Sequence, residues 1–121
     1  MSSFIKNVSF AGAGIKYFFK NERNGRIQGI IALIVIVAGF IAGLSRLEWC
    51  IILICIAMVL GLEMINTSLE RVGDMLSVEY HPMVKIIKDV AAGSVLWVTI
   101  FSVIIGAIIF LPYLKSLAGL N

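Results

Sequence analysis

The chain has 121 residues, of which 60% are hydrophobic and 14% charged, and its formal net charge is +3. Ordinary soluble domains carry roughly 25% charged residues, and the mean hydropathy of +1.04 points the same way. Too few polar residues remain to cover a soluble surface, which excludes a secreted disulfide scaffold, a disordered tail and a typical cytosolic enzyme and leaves a small integral membrane protein.

Residues 1–26 come first. Phe4, Val8, Ala11, Ile15 and Phe18 recur at +4, +3, +4 and +3, which is one helical stripe, with Lys6, Ser9, Lys16 and Lys20 on the opposite face. A basic amphipathic helix beside a membrane span predicts an interfacial helix. The segment is too long and too polar for the n-region of a signal peptide, and no A-x-A site follows the first span.

Three apolar runs follow and predict transmembrane helices over 27–45, 49–73 and 83–114, within one membrane domain. Ile27 to Ser45 is uncharged for 19 residues, close to the roughly 20 needed for one crossing. Trp49 to Leu62 is also uncharged and continues as an amphipathic extension that should leave the membrane. Val90 to Leu114 is uncharged for 25 residues. Gly39 and Gly43 make a GxxxG, and Ala57 and Gly61 repeat the small-residue spacing that favours close helix contacts. Pro82 suits the start of the last helix, and Pro112 should end or kink it. Trp49 and Tyr113 sit at span ends, where aromatic residues anchor at the interface. Cys50 and Cys55 fall on different sides of one helix, so an intrachain bridge is not expected. No Cys/His pairing points to zinc.

Lysine and arginine set the orientation. Lys6, Lys16, Lys20, Arg23, Arg26, Arg71, Lys85 and Lys88 lie before the first span or between the last two; Arg46 and Lys115 lie on the other side. The positive-inside rule then places the N-terminus and residues 70–89 in the cytoplasm and the C-terminus outside. The basic excess is read as contact with anionic headgroups, and nucleic acid is not expected as a partner.

Five of the seven acidic residues lie between Glu63 and Asp89. With Glu63 at zero on a helix, Asn66, Glu70 and Asp74 fall at about −60°, −20° and +20°, so three carboxylates and an amide share one face. Like charges at this spacing repel, so a cation should sit opposite: a divalent metal or Lys88. Lys85, Lys88 and Asp89 cluster at the start of the last helix. Lysine beside a metal-binding carboxylate face is what phosphate chemistry needs, with magnesium on phosphate oxygens. Glu63 lies deepest, where the apolar run ends and poor solvation makes a carboxylate a stronger proton acceptor, so it is the best general base. Interfacial, metal-dependent chemistry on a lipid headgroup is the reading. A purely structural reading, in which the charges form inter-helix pairs inside an oligomer, stands beside it, as does a non-enzymatic ion-conducting or transporter subunit.

The stretches GLEMINTSLERVGD, EYHP and KIIKDVAAGSV, with FIKNVSFAGAGIKYFFKNERNGRIQ upstream, resemble the small prokaryotic diacylglycerol kinase family, which includes undecaprenol kinases. Glu63, Asn66, Thr67, Glu70, Asp74, His81, Lys88 and Asp89 fall in register with its pattern, and Glu22 matches the glutamate of its N-E motif. The resemblance implies a homotrimer of three spans and a surface helix per subunit, with sites shared between neighbours, in the bacterial inner membrane. It implies transfer of the γ-phosphate of ATP to a lipid alcohol, diacylglycerol or undecaprenol, with Mg2+. Glu63 then matches the catalytic base, Asn66 an orienting amide, and Glu22 and Glu70 the metal ligands. Lys88 and Asp89 match residues at the ATP phosphates, and Glu79 and His81 residues near the nucleotide; Asp74 joins this set through its shared face. Ser3 and Phe10 stand where some diacylglycerol kinases carry an arginine and a tyrosine. NERNGRIQ and KDVAAGSV lean to the undecaprenol kinase branch, although that branch often has His where Gln28 stands.

Overall fold

The computed structural model describes residues 2–76, 79 and 81–119; Tyr80 of the EYHP stretch lies outside them. Its helices are α1 (Ser3–Asn21), α2 (Arg23–Ala42), α3 (Arg46–Leu76) and α4 (Pro82–Leu117). The last three are long and apolar enough to cross a membrane. At 1.5 Å rise per residue, α2 is about 30 Å long, one bilayer core, while α3 and α4 reach about 46 and 54 Å and must project beyond it.

The segment 1–26 is not one helix. Ser2 caps α1 by accepting from the Ile5 N–H at 3.3 Å, and α1 stops at Glu22, whose extended backbone (φ −105°, ψ 118°) breaks the ladder. Arg23 and Arg26 therefore belong to α2. The Arg26 guanidinium donates to the Lys20 carbonyl at 2.7 Å, which satisfies one of the orphan acceptors at the end of α1. Gly25 closes the corner, since a Cβ there would meet the Phe18 ring at 2.6 Å. Phe18 is the buried member of the α1 stripe; Phe4, Val8, Ala11 and Ile15 face away from the chain.

At the other end of α2, Gly43 adopts a left-handed conformation (φ 72°, ψ 52°) and ends the helix. This position favours glycine because a Cβ is strained there. The GxxxG pair is thus split. Gly43 is the cap, and Gly39 takes the close contact, where a Cβ would meet the Trp49 ring at 2.7 Å. Trp49 lies half-buried over Gly39 with its ring 4.8 Å from that of Phe40. Nothing packs within 4 Å of the Cβ position at Gly61, and Ala57 is exposed, so that pair makes no close contact within the chain.

Ser45 and Glu48 open α3 with a reciprocal cap. The Glu48 N–H donates to Ser45 Oγ at 3.2 Å, and the Ser45 N–H donates to Glu48 Oε1 at 2.9 Å. Tyr113 Oη donates to the same carboxylate oxygen. This bond ties the start of α3 to the end of α4, and Asp74 with Lys88 ties the opposite ends, so the two helices form an antiparallel hairpin, with α2 beside α3. Pro112 does not end α4, which runs on to Leu117. Its missing N–H falls near the end of the helix, where the Tyr113 bond and the cluster of Leu44, Ile52 and Ile109 hold the last turns. Tyr113→Phe removes a hydrogen bond to a charged acceptor and should lower the Tm in micelles with turnover unchanged.

The core is thin. Among the described residues no large side chain is fully enclosed, while Leu33, Ile34, Phe40, Ile41 and Val103 lie exposed. In water such a surface would aggregate; in a bilayer it is the face turned to lipid or to other helices.

Candidate active site

Glu63 is the most buried charged residue of α3, at 4% exposure, and Asn66, one turn on, is at 7%. The helix carries both toward the start of α2, where the side-chain amides of Asn24 and Gln28 lie beside the Glu63 carboxylate. Glu70 and Glu22 both lie within electrostatic range of it. From Arg46 to Glu63 is about 25 Å along the axis, so a helix that enters at one membrane face brings Glu63 close to the other. Two buried carbonyl oxygens beside this group have no hydrogen-bond partner among the described residues: Asn66 Oδ1 and Gln28 Oε1. Buried polar atoms are almost always paired, so each of these oxygens is open to a donor.

Cations surround the group. Arg71 pairs with Glu22 across 49 residues of chain, Lys88 with Asp74, and Lys85 with Asp89 one turn along α4. Lys88 is thus the cation facing the acidic face of α3. It reaches there because residue 73 is glycine: a Cβ would meet Lys88 Cε at 2.8 Å and Val84 Cγ1 at 3.3 Å. Asp89 is exposed and turned to Lys85 rather than into the Glu63 group. Glu70 and Glu79 are exposed. His81 caps α4, its Nδ1 accepting from the Met83 N–H at 3.2 Å, with Pro82 at the first helical position. The chain therefore brings together Glu22, Glu63, Asn66 and Glu70, with Asp74 and Lys88 alongside. Sequence periodicity missed Asn24, Gln28, Gly73 and the Arg71–Glu22 pair.

Among the described residues no three His, Cys, Asp or Glu side chains converge into a closed metal site. Magnesium does not need one, because it binds through one or two carboxylates together with substrate phosphates and retained waters. Glu22 and Glu70, on separate elements and both close to Glu63, fit that open arrangement. Outward from Gln28 runs a cavity of about 240 Å³ between α2, α3 and α4, lined by Val35, Ile52, Cys55, Gly106 and Phe110 among others.

Three apolar helices with the polar chemistry gathered at one end define a membrane protein. Residues 9–110 match the prokaryotic diacylglycerol kinase family, and the chain belongs to that family of lipid kinases. It is 39% identical over 114 residues to the undecaprenol kinase of Bacillus subtilis, covering 94% of this chain and 93% of that one. A diacylglycerol kinase of Synechocystis is 38% identical over 93% of this chain, which spans 65% of that protein's length. The diacylglycerol kinase of Escherichia coli is 25% identical, over 83% of this chain and 82% of its own. Kinase membership decides against the non-enzymatic subunit.

Proposed function

We propose that the protein transfers the γ-phosphate of ATP to the hydroxyl of a membrane lipid alcohol, with undecaprenol as the preferred acceptor. The observation that carries the chemistry is Glu63, a buried carboxylate where a span leaves the membrane, partnered by amides and flanked by two further carboxylates. The lean to undecaprenol rests on the relative from Bacillus subtilis.

The acceptor hydroxyl comes from the bilayer and the nucleotide from the cytoplasm. Glu63 takes the hydroxyl proton as the oxygen attacks the γ-phosphorus, the bond to the β–γ bridging oxygen breaks, and ADP leaves. Asn24 and Gln28 orient the Glu63 carboxylate, and the unpaired Asn66 oxygen holds a donor of the bound reactants. Lys88 neutralises charge on the phosphoryl oxygens, with Asp74, Glu79, His81 and Asp89 on the nucleotide side. Glu22 and Glu70 would hold Mg2+, which would supply charge neutralisation between the phosphates and the carboxylates. The cavity beyond Gln28 takes the apolar chain of the lipid, where the walls ask only for hydrocarbon.

The exposed Phe4, Val8 and Ile15 stripe with Lys6, Lys16 and Lys20 makes α1 an amphipathic helix on the cytoplasmic surface of the bacterial inner membrane, with the C-terminus outside. The exposed apolar faces of α2, α3 and α4 are covered by copies of the chain in a homotrimer with shared sites. The test offers purified protein undecaprenol and diacylglycerol separately in micelles with labelled ATP. Magnesium-dependent transfer is expected to both, with kcat/KM at least about tenfold higher for undecaprenol, the span of roughly 1.4 kcal/mol that a few apolar contacts supply. No labelled lipid from either would end the kinase reading, and preference for diacylglycerol would reverse the substrate.

A further inference from the structure

Lys88 and Lys85 each have a carboxylate of their own, Asp74 and Asp89. That leaves Arg71 as the ion-pair partner of the Glu22, Glu63 and Glu70 group among the described residues. The pair is asymmetric: the Arg71 side chain is 59% exposed and that of Glu22 only 18%. Arg71 can swing into solvent at little cost, whereas Glu22 is held by the corner between α1 and α2, where its backbone N–H donates to the Phe18 carbonyl at 2.9 Å. Arg71 also faces the Asp74 carboxylate, so on release from Glu22 it keeps a favourable neighbour. Glu22 Oε1, the oxygen that Arg71 takes, is one of the two through which Glu22 can hold a divalent ion, and the guanidinium also draws off the negative charge that such an ion needs.

We propose that Arg71 competes with the divalent ion for the Glu22 carboxylate and so sets the metal concentration the enzyme requires. The inference rests on the reading of Glu22 as a metal ligand. One carboxylate oxygen cannot serve a guanidinium and a metal at full strength together, and each cation lowers the affinity for the other by the same factor. The exposure of Arg71 bounds the factor, because exposed pairs are weak. Arg71 is a positioning residue: it keeps Glu22 aimed at α3 and gives way as metal and nucleotide arrive.

The experiment equilibrates solubilised full-length protein with Mn2+ and a saturating non-hydrolysable ATP analogue, which supplies the phosphates that complete the site, and follows protein-bound Mn2+ by electron paramagnetic resonance against the Mn2+–analogue complex alone, without turnover. Arg71→Met should bind Mn2+ about two- to fivefold more tightly than wild type, the range an exposed ion pair allows. The gain should vanish when Arg71→Met is made in a Glu22→Gln background. The magnesium concentration for half-maximal transfer should fall by the same factor. Unchanged or weaker Mn2+ binding by Arg71→Met overturns the competition while leaving the metal site standing. An equal gain in the Glu22→Gln background overturns it too, because the effect would then be general charge rather than a contest for this carboxylate. Wild-type protein that binds no Mn2+ removes the Glu22 assignment and the competition with it; phosphate transfer to lipid is measured separately and is not decided by that result. Because Arg71 is exposed, its truncation leaves the fold in place.

Discussion

Glu63→Gln is expected to lower kcat by about 10²- to 10⁴-fold, the usual contribution of a positioned general base, without loss of thermal stability. Glutamine has the shape of glutamate and still meets the amides of Asn24 and Gln28, but it cannot accept the hydroxyl proton. The fold has no reason to suffer. Glu63 is buried among amides and two other carboxylates rather than in an ion pair. Removing its charge relieves repulsion and desolvation instead of stranding a partner. The two readouts are transfer of labelled phosphate and the Tm in the same micelles. A variant that keeps full turnover would remove Glu63 from the chemistry. One that unfolds would show that the carboxylate is structural, as a role in inter-helix charge pairing requires.

This separation of chemistry from fold reflects how the site was legible at all. Charges are rare in the chain, so apolar runs alone place three spans, and helical periodicity puts Glu63, Asn66, Glu70 and Asp74 on one face. Lys88 could be anticipated as the cation opposite, and it does pair with Asp74. Periodicity has no access to contacts between elements far apart in sequence. Arg71 meets Glu22 across 49 residues, and nothing local distinguishes it from a topology charge. Asn24 and Gln28 follow a helix break that rests on the extended backbone of Glu22 and on the Phe18 ring over Gly25. That break is a tertiary event, and a continuous segment over 1–26 is what local pattern shows. Gly43 illustrates the converse error. Its spacing to Gly39 predicts a packing pair, yet a positive φ makes it a cap. The Ser45–Glu48 box was a local signal in plain view, S-R-L-E before an apolar run, and it explains why α3 starts three residues earlier than the uncharged run does.

The same dependence on close contacts makes Gly73 a handle on Lys88. Lys88→Met should slow transfer by about 10²- to 10³-fold, comparable to removing one preorganised donor from a developing negative charge. Gly73→Ala is expected to reproduce part of this loss, about tenfold, with no change to any polar group. The added methyl would sit 2.8 Å from Lys88 Cε. Cε lies near the tip of a flexible side chain, so the lysine moves and the backbone does not. The ammonium then leaves Asp74 and the acidic face of α3. Stability should hold or rise, since alanine is favoured over glycine inside a helix by about 1 kcal/mol. A slower enzyme that is no less stable is the signature of displaced chemistry rather than damaged packing. In the Lys88→Met background the Gly73→Ala change should cost nothing further, because interacting sites are not additive. Full additivity in kcat would show that Gly73 acts on something other than Lys88, and Val84, whose Cγ1 lies 3.3 Å from the same position, would then be the neighbour to change next.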